Sequence, residues 1–164
     1  MSKHTSESLG FHTHDHAGCI SSALLVAEAV CDSNGLHLTP VRRRVLELLL
    51  HEHRAMGAYD ILDHLRRDGL GSQPPVAYRA LDFLVTNGFA HRIERLNAFV
   101  ACSHPSGDHS PVFLICRACA NVAETALPPG DNPVAALARD TGFRLEASVV
   151  EAEGLCPNCA REAG

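Results

Sequence analysis

Two Cys-x-x-Cys pairs, Cys116/Cys119 and Cys156/Cys159, lie far apart in the last third of the chain. Each pair holds two sulfurs at a bite that one ion can span, and four thiolates delivered as two short loops match the tetrahedral geometry of zinc. Each pair could instead be a redox dithiol or a disulfide. Two pairs of the same spacing in one small segment favour a shared ion. The seven cysteines are an odd number, so a complete set of intramolecular disulfides is impossible, and a reducing compartment suits thiolate–metal chemistry. The eleven histidines lean the same way.

A chain of 164 residues, 46% hydrophobic, can bury one medium core or two small ones, and two modules are the expected division. No run reaches the roughly 18 apolar residues of a membrane span, and the N-terminus lacks a basic-then-apolar leader, so the expected location is cytoplasmic. The net charge of -5 argues at first against a nucleic-acid partner, because phosphate binding rests on Lys and Arg. Between Leu36 and Val100, however, nine arginines face seven acidic residues, a balance of +2. A basic middle between acidic flanks is compatible with DNA binding by one module.

Residues 1–18, with the run HTHDH from His12 to His16, have no hydrophobic periodicity and read as a flexible tail able to capture metal weakly. Residues 19–102 read as a DNA-binding module, 103–111 as a hinge and 112–164 as a second module. A short helix is expected from Ile20 to Cys31. Thr39 caps a second, with Pro40 at its first position and Val41, Val45, Leu48 and Leu49 on one face. Ala58, Ile61, Leu62 and Leu65 define a third, ended by Gly69. Ala77, Leu81, Leu84 and Val85 form the stripe of a fourth, stopped by Gly88. The segment from Phe89 to Cys102 alternates as a hairpin with a turn near Leu96-Asn97. Helices followed by such a hairpin are the skeleton of a winged helix-turn-helix. Beyond the Ser/Pro/Gly-rich hinge come a strand at VFLIC, a strand at NVAET, a helix from Asn132 to Thr141 and a long strand over Phe143–Gly154. The fold class is therefore α+β. The second module is marginal for a hydrophobic core alone, which is a physical reason for a structural metal.

Tyr78 and Arg79 project from the N-terminal turn of the fourth helix, where helix-turn-helix proteins touch base edges, and Arg can pair bidentately with guanine. Arg42, Arg43 and Tyr59 are candidate phosphate or secondary base contacts. A second set of ligand-type residues clusters around the hinge: His91 and Cys102 on the two hairpin strands, His109 in the linker and Glu124 at the end of a strand beyond it. Ligands drawn from both sides of a linker fix the angle between modules when filled and release it when empty. Such a geometry suits a sensor.

The segment PPVAYRALDFLVTNGFAHRIE, the two Cys-x-x-Cys pairs and the spacing of His91, Cys102, His109 and Glu124 resemble the ferric uptake regulator family, and within it the zinc uptake regulator subgroup. The resemblance runs from about Leu36 to Arg161. It implies Cys116, Cys119, Cys156 and Cys159 as a structural zinc site and His91, Cys102, His109 and Glu124 as the regulatory one, with His104 an alternative to His109. It implies Tyr59 and Arg79 as base-contacting residues. A thiolate among imidazoles and a carboxylate favours zinc over iron. The expectation is a homodimeric repressor of zinc-uptake genes that binds palindromic operator DNA with zinc as corepressor, and not an enzyme. The alternatives are a sister regulator sensing iron or peroxide and, from another class, a zinc hydrolase. Against the hydrolase, the chain has no HExxH and no His-x-Glu of the deaminase type.

Overall fold

A computed structural model of the chain describes residues 16–52, 54–103, 105, 110–127 and 132–164. The described residues up to 105 form one compact unit and those from 110 onward a second. The first unit holds α1 (His16–Ser33), α2 (Pro40–His51), α3 (Ala58–Arg67), α4 (Pro74–Thr86) and an antiparallel hairpin of β1 (Ala90–Ile93) and β2 (Ala98–Ala101). Thr39 caps α2 by accepting from the Arg42 amide at 3.4 Å, and Pro40 occupies the first turn, where its missing N–H leaves nothing unsatisfied. Gly69 (φ +70°) and Gly88 (φ +77°) follow α3 and α4 in the left-handed region, reversing the chain where a side chain would cost energy.

α2 is the centre of this unit and packs on α1, α3 and α4. Ile61, Leu62 and Leu65 from α3 meet Val45 and Leu49 from α2 and Leu81 and Leu84 from α4 in one continuous core. The wing is tied to the helices by reciprocal backbone bonds between Met56 and Phe99, at 2.9 and 2.8 Å. A 3-10 turn (Glu94–Leu96) and left-handed Asn97 (φ +47°) close the hairpin where the sequence placed its turn.

Two expectations need correction here. α1 begins at His16, so Ala17 and Gly18 are helical rather than part of a tail. The Ser21 hydroxyl donates to the Ala17 carbonyl at 3.0 Å, and buried Ile20 anchors that turn. On α4 the buried stripe is Ala77, Ala80, Leu81 and Leu84, whereas Val85 is 37% exposed. At about 100° per residue, Val85 lies some 80° round the helix from Ala77, at the edge of the buried face, and Ala80 falls within it.

The second unit holds β3 (Pro111–Cys116), β4 (Val122–Ala126), α5 (Pro133–Asp140), β5 (Val150–Gly154) and α6 (Pro157–Glu162). β3 is the central strand, antiparallel to β4 and parallel to β5. Asn132 caps α5 by accepting from the amides of Val134 and Ala135. The strand expected over Phe143–Gly154 is paired only from Val150 onward. Val150 lies opposite Val112, and the preceding residue of β3 is Pro111, which has no N–H to extend the ladder. Phe143 and Val149 are left 66% and 59% exposed. α6 was not anticipated, although Pro157 directly after Cys156 is a first-turn signal.

Leu65 is fully buried between helices. Leu65→Ala is expected to lower the stability of the first unit by about 2–5 kcal/mol. An unchanged urea midpoint for a tryptophan-free probe such as far-ultraviolet dichroism would contradict that packing.

Candidate metal centre and nucleic-acid interface

Cys116 is the last residue of β3, and Cys119 lies on the turn that follows. That turn is closed by Ala120 N–H donating to the Cys116 carbonyl and Cys116 N–H donating to the Asn121 carbonyl, both at 2.9 Å. Arg117 N–H donates to Gly154 O at 2.9 Å, which holds the turn against the end of β5. Two residues later Cys156 forms the N-cap of α6, and Cys159 sits in its first turn. Strand pairing thus delivers both loops to one place. The Cys119 and Cys156 sulfurs are 3.8 Å apart, and one sulfur from each of the four cysteines lies within 4.8 Å of the others. A zinc tetrahedron with Zn–S bonds of about 2.3 Å has sulfur–sulfur edges of about 3.8 Å, so the donor set fits that ion.

The four thiols do not titrate alike. The amides of Cys156 and Cys119 donate to Cys116 and hold its thiol down at about 6. Cys159 is pushed up to about 12, first by its hydrogen bond with Cys156, then by burial and by its other sulfur neighbours. Cys119 is also raised, burial and its bond to Cys116 outweighing the Asn121 amide. Crowded thiolates repel one another. A dication is the species that allows all four to ionise together, and binding it must displace protons from Cys119 and Cys159 at neutral pH.

In the first unit, His91 of β1 lies opposite Val100 of β2, and Cys102 N–H donates to Phe89 O at 2.9 Å one step along the ladder. Phe89, His91 and Cys102 therefore share one face of the hairpin. The nearest ligand atoms of His91 and Cys102 lie within 4.8 Å, and Cys102 is buried. Glu124 stands on β4 in the second unit, opposite Phe113 of β3 and half-buried. His109, its alternative His104, and His12 and His14 of the HTHDH run lie outside the described residues.

On α4, Tyr78 is 43% exposed and Arg79 is exposed beside it, while Tyr59 in the first turn of α3 is 66% exposed. These are the groups that could reach bases. Arg42 lies over the Phe83 ring at 3.7 Å, and its guanidinium donates to the His37 carbonyl at 2.7 Å. Arg43 is paired with Glu28. Both lie in the first turn of α2. Arg44, which the sequence did not single out, bonds Asp68 at 2.6 Å and Glu47 at 2.9 Å and braces α2 against the end of α3.

No family model matches the chain. The zinc uptake regulation protein of Escherichia coli (strain K12) is 39% identical over 137 residues, covering 83% of this chain and 80% of that protein. This chain belongs to the zinc uptake regulator family. A solved zinc uptake regulator complexed with zinc and DNA is 37% identical, with a TM-score of 0.82 and coverage of 88% of this chain and 98% of that one. The holo form of XcZur is 42% identical, with a TM-score of 0.76 and coverage of 85% and 98%. The α+β class with an N-terminal winged helix-turn-helix and a four-cysteine cluster in the second unit stands on these likenesses and on the geometry above. Relatives of this kind are regulators and not enzymes.

Ala120 closes the turn that carries the first cysteine pair, in a conformation that the sequence did not reveal. It adopts φ +60° between the second cysteine and Asn121, a left-handed conformation that only glycine takes freely. Ala120→Gly is expected to stabilise the second unit by about 1 kcal/mol, read as a higher midpoint in thermal unfolding. Zinc retention should weaken as pH falls and more steeply below about 6, where Cys116 also regains its proton. Metal content after chelator challenge across a pH series measures this, and a flat series would exclude a thiolate site.

Proposed function

We propose that the chain is a zinc-responsive transcriptional repressor that acts as a homodimer on palindromic operator DNA, with zinc as corepressor of zinc-uptake genes. The observation that carries this reading is the match along 88% of the chain to a regulator solved with both zinc and DNA, joined to exposed Tyr78 and Arg79 on the helix that would enter the major groove. Acting on DNA, it works in the cytoplasm; among the described residues no helix is long and apolar enough to cross a membrane.

The four cysteines are the structural zinc site. They close the coordination sphere, so they are suited to holding the second unit together and not to reporting supply. The regulatory ligands are His91, Cys102, His109 and Glu124. Support comes from the approach of His91 and Cys102 across the wing and from the chemistry of the set, in which one thiolate among nitrogen and oxygen donors favours zinc over the iron or manganese of sister regulators. Zinc would supply a divalent centre shared by ligands from 19–102, the hinge 103–111 and the module 112–164. His91 and Cys102 belong to the wing, so filling that set biases where the DNA-reading helix is held.

Dimerisation is assigned to 112–164, where Leu137, Phe143 and Val149 expose apolar surface beyond what one small unit can cover. Two winged helices then meet major grooves roughly 34 Å, or a multiple of it, apart. Tyr78, Arg79 and Tyr59 contact bases, and Arg42 and Arg43 contact phosphates. Linkage requires that DNA tighten zinc binding by the same factor by which zinc tightens DNA binding. A near-complete switch needs differential affinity of about 5 kcal/mol.

Cys102→Ser is expected to keep the structural zinc and the dimer while losing zinc-dependent DNA binding. A gel-shift titration against free zinc with metal content per chain tests it, and an unchanged zinc response would remove Cys102 from the sensor.

A further inference from the structure

The entry to α4 is built unlike the entry to α2. Gln73 is its N-cap residue but makes no side-chain capping bond, and Pro74 and Pro75 follow in the first turn. The backbone turn Val76 N–H to Gln73 O, at 3.0 Å, is the local bond there. What holds the first turn in place lies on the preceding loop. Gly71, at φ +155°, lies against the Val76 side chain so closely that a Cβ built on it would stand 2.7 Å from Val76 Cγ1, 3.2 Å from Cβ and 3.3 Å from Cγ2. The next residue is fixed as well: Ser72 O accepts from Arg66 Nε at 3.1 Å, and Arg66 is steadied by Asp63 one turn earlier on α3. Leu70 N–H donates to Leu65 O at 2.9 Å and starts the loop from the end of α3.

We infer that Gly71 and Val76 are positioning residues for sequence recognition: the isopropyl group of Val76, seated on the bare backbone of Gly71, sets the rotation and advance of the first turn of α4. Tyr78 and Arg79 follow Val76 by two and three residues. A shift at Val76 is carried into both because a helical turn is stiff, and a bidentate Arg–guanine pair tolerates little displacement. Contacts to phosphate are less demanding, since they depend on charge more than on angle. A disturbed seat should therefore cost sequence discrimination before it costs affinity for DNA in general. This inference rests on the reading of α4 as the base-contacting helix.

The test is a set of substitutions at the seat in the zinc-loaded, full-length protein. The probes are a duplex enriched from a randomised library by the wild-type protein and a scrambled duplex of the same length and composition. Gly71→Ala inserts a methyl group into the seat, and Val76→Ala empties it. Each is expected to lower the ratio of selected to scrambled affinity by about tenfold, with zinc content, dimer mass and scrambled-duplex affinity as in wild type. Val76→Thr keeps both branches at Cβ, so the seat stays filled, and should hold most of the ratio. A wild-type ratio in Val76→Ala or in Gly71→Ala, or a loss in Val76→Thr as large as that in Val76→Ala, would overturn the inference. If Gly71→Ala does not fold, since φ +155° strains any side chain there, Val76→Ala against Val76→Thr still decides. Failure of the wild-type protein to enrich any sequence counts against the proposed function instead and is read before any variant is made.

Discussion

The second unit depends on the convergence of four sulfurs. Among its described residues only nine are buried and apolar, and two of those, Cys116 and Cys156, belong to the cluster itself. Phe113, Ile115, Val122 and Ala123 make a thin core on a three-stranded sheet. At roughly 25 cal/mol for each Å² removed from water, so few side chains cannot offset the entropy of ordering the unit. A tetrathiolate centre joins the end of β3 to the start of α6 and supplies the missing cohesion. Under the proposed dimerisation through this unit, a second copy would cover the exposed apolar groups of α5 and of the segment before β5 and supply the rest.

The proposed function divides the labour between two kinds of metal ligand in one small protein. A closed set of four thiolates is good at holding structure because nothing can leave without breaking a loop. The same property makes it a poor reporter. In the proposed regulatory set, His91, Cys102, His109 and Glu124 come from separate segments of the sequence, so its occupation would bias a conformational equilibrium instead of merely completing a fold. The first unit needs no such help. Its core from α1 to α4 is continuous, and its wing is stitched to the helices through Met56 and Phe99.

Much of this was legible from residue order. Helix starts were marked by Thr39-Pro40 and Asn132-Pro133, helix ends by Gly69 and Gly88, and the cysteine spacing announced its ion. The misses share a cause. Val85 is apolar, but its angle on the helix carries it to the edge of the buried face, and Ala80 lies within that face while its small side chain gives little hydrophobic signal. The strand before Val150 has β-forming residues but no partner backbone beyond Pro111, and pairing is a property of two segments. Ala120 carries no glycine to advertise its left-handed turn.

The sequence by itself determined the identity and spacing of the ligands, the helix ends marked by Thr39-Pro40, Asn132-Pro133, Gly69 and Gly88, and the order of helices, wing and sheet up to β5, because these follow from local periodicity, capping and chelate bite. Tertiary structure decided which sulfurs meet and how unequally they give up their protons, since that depends on the Cys156 amide reaching Cys116 and on sulfurs of one loop crowding those of the other. It also decided that Arg42 lies on Phe83 and that Val76 seats on Gly71. Arg42 and Phe83 come from different helices and have no relation until the chain has folded, while Gly71 and Val76, though near in sequence, meet only when the loop between α3 and α4 closes.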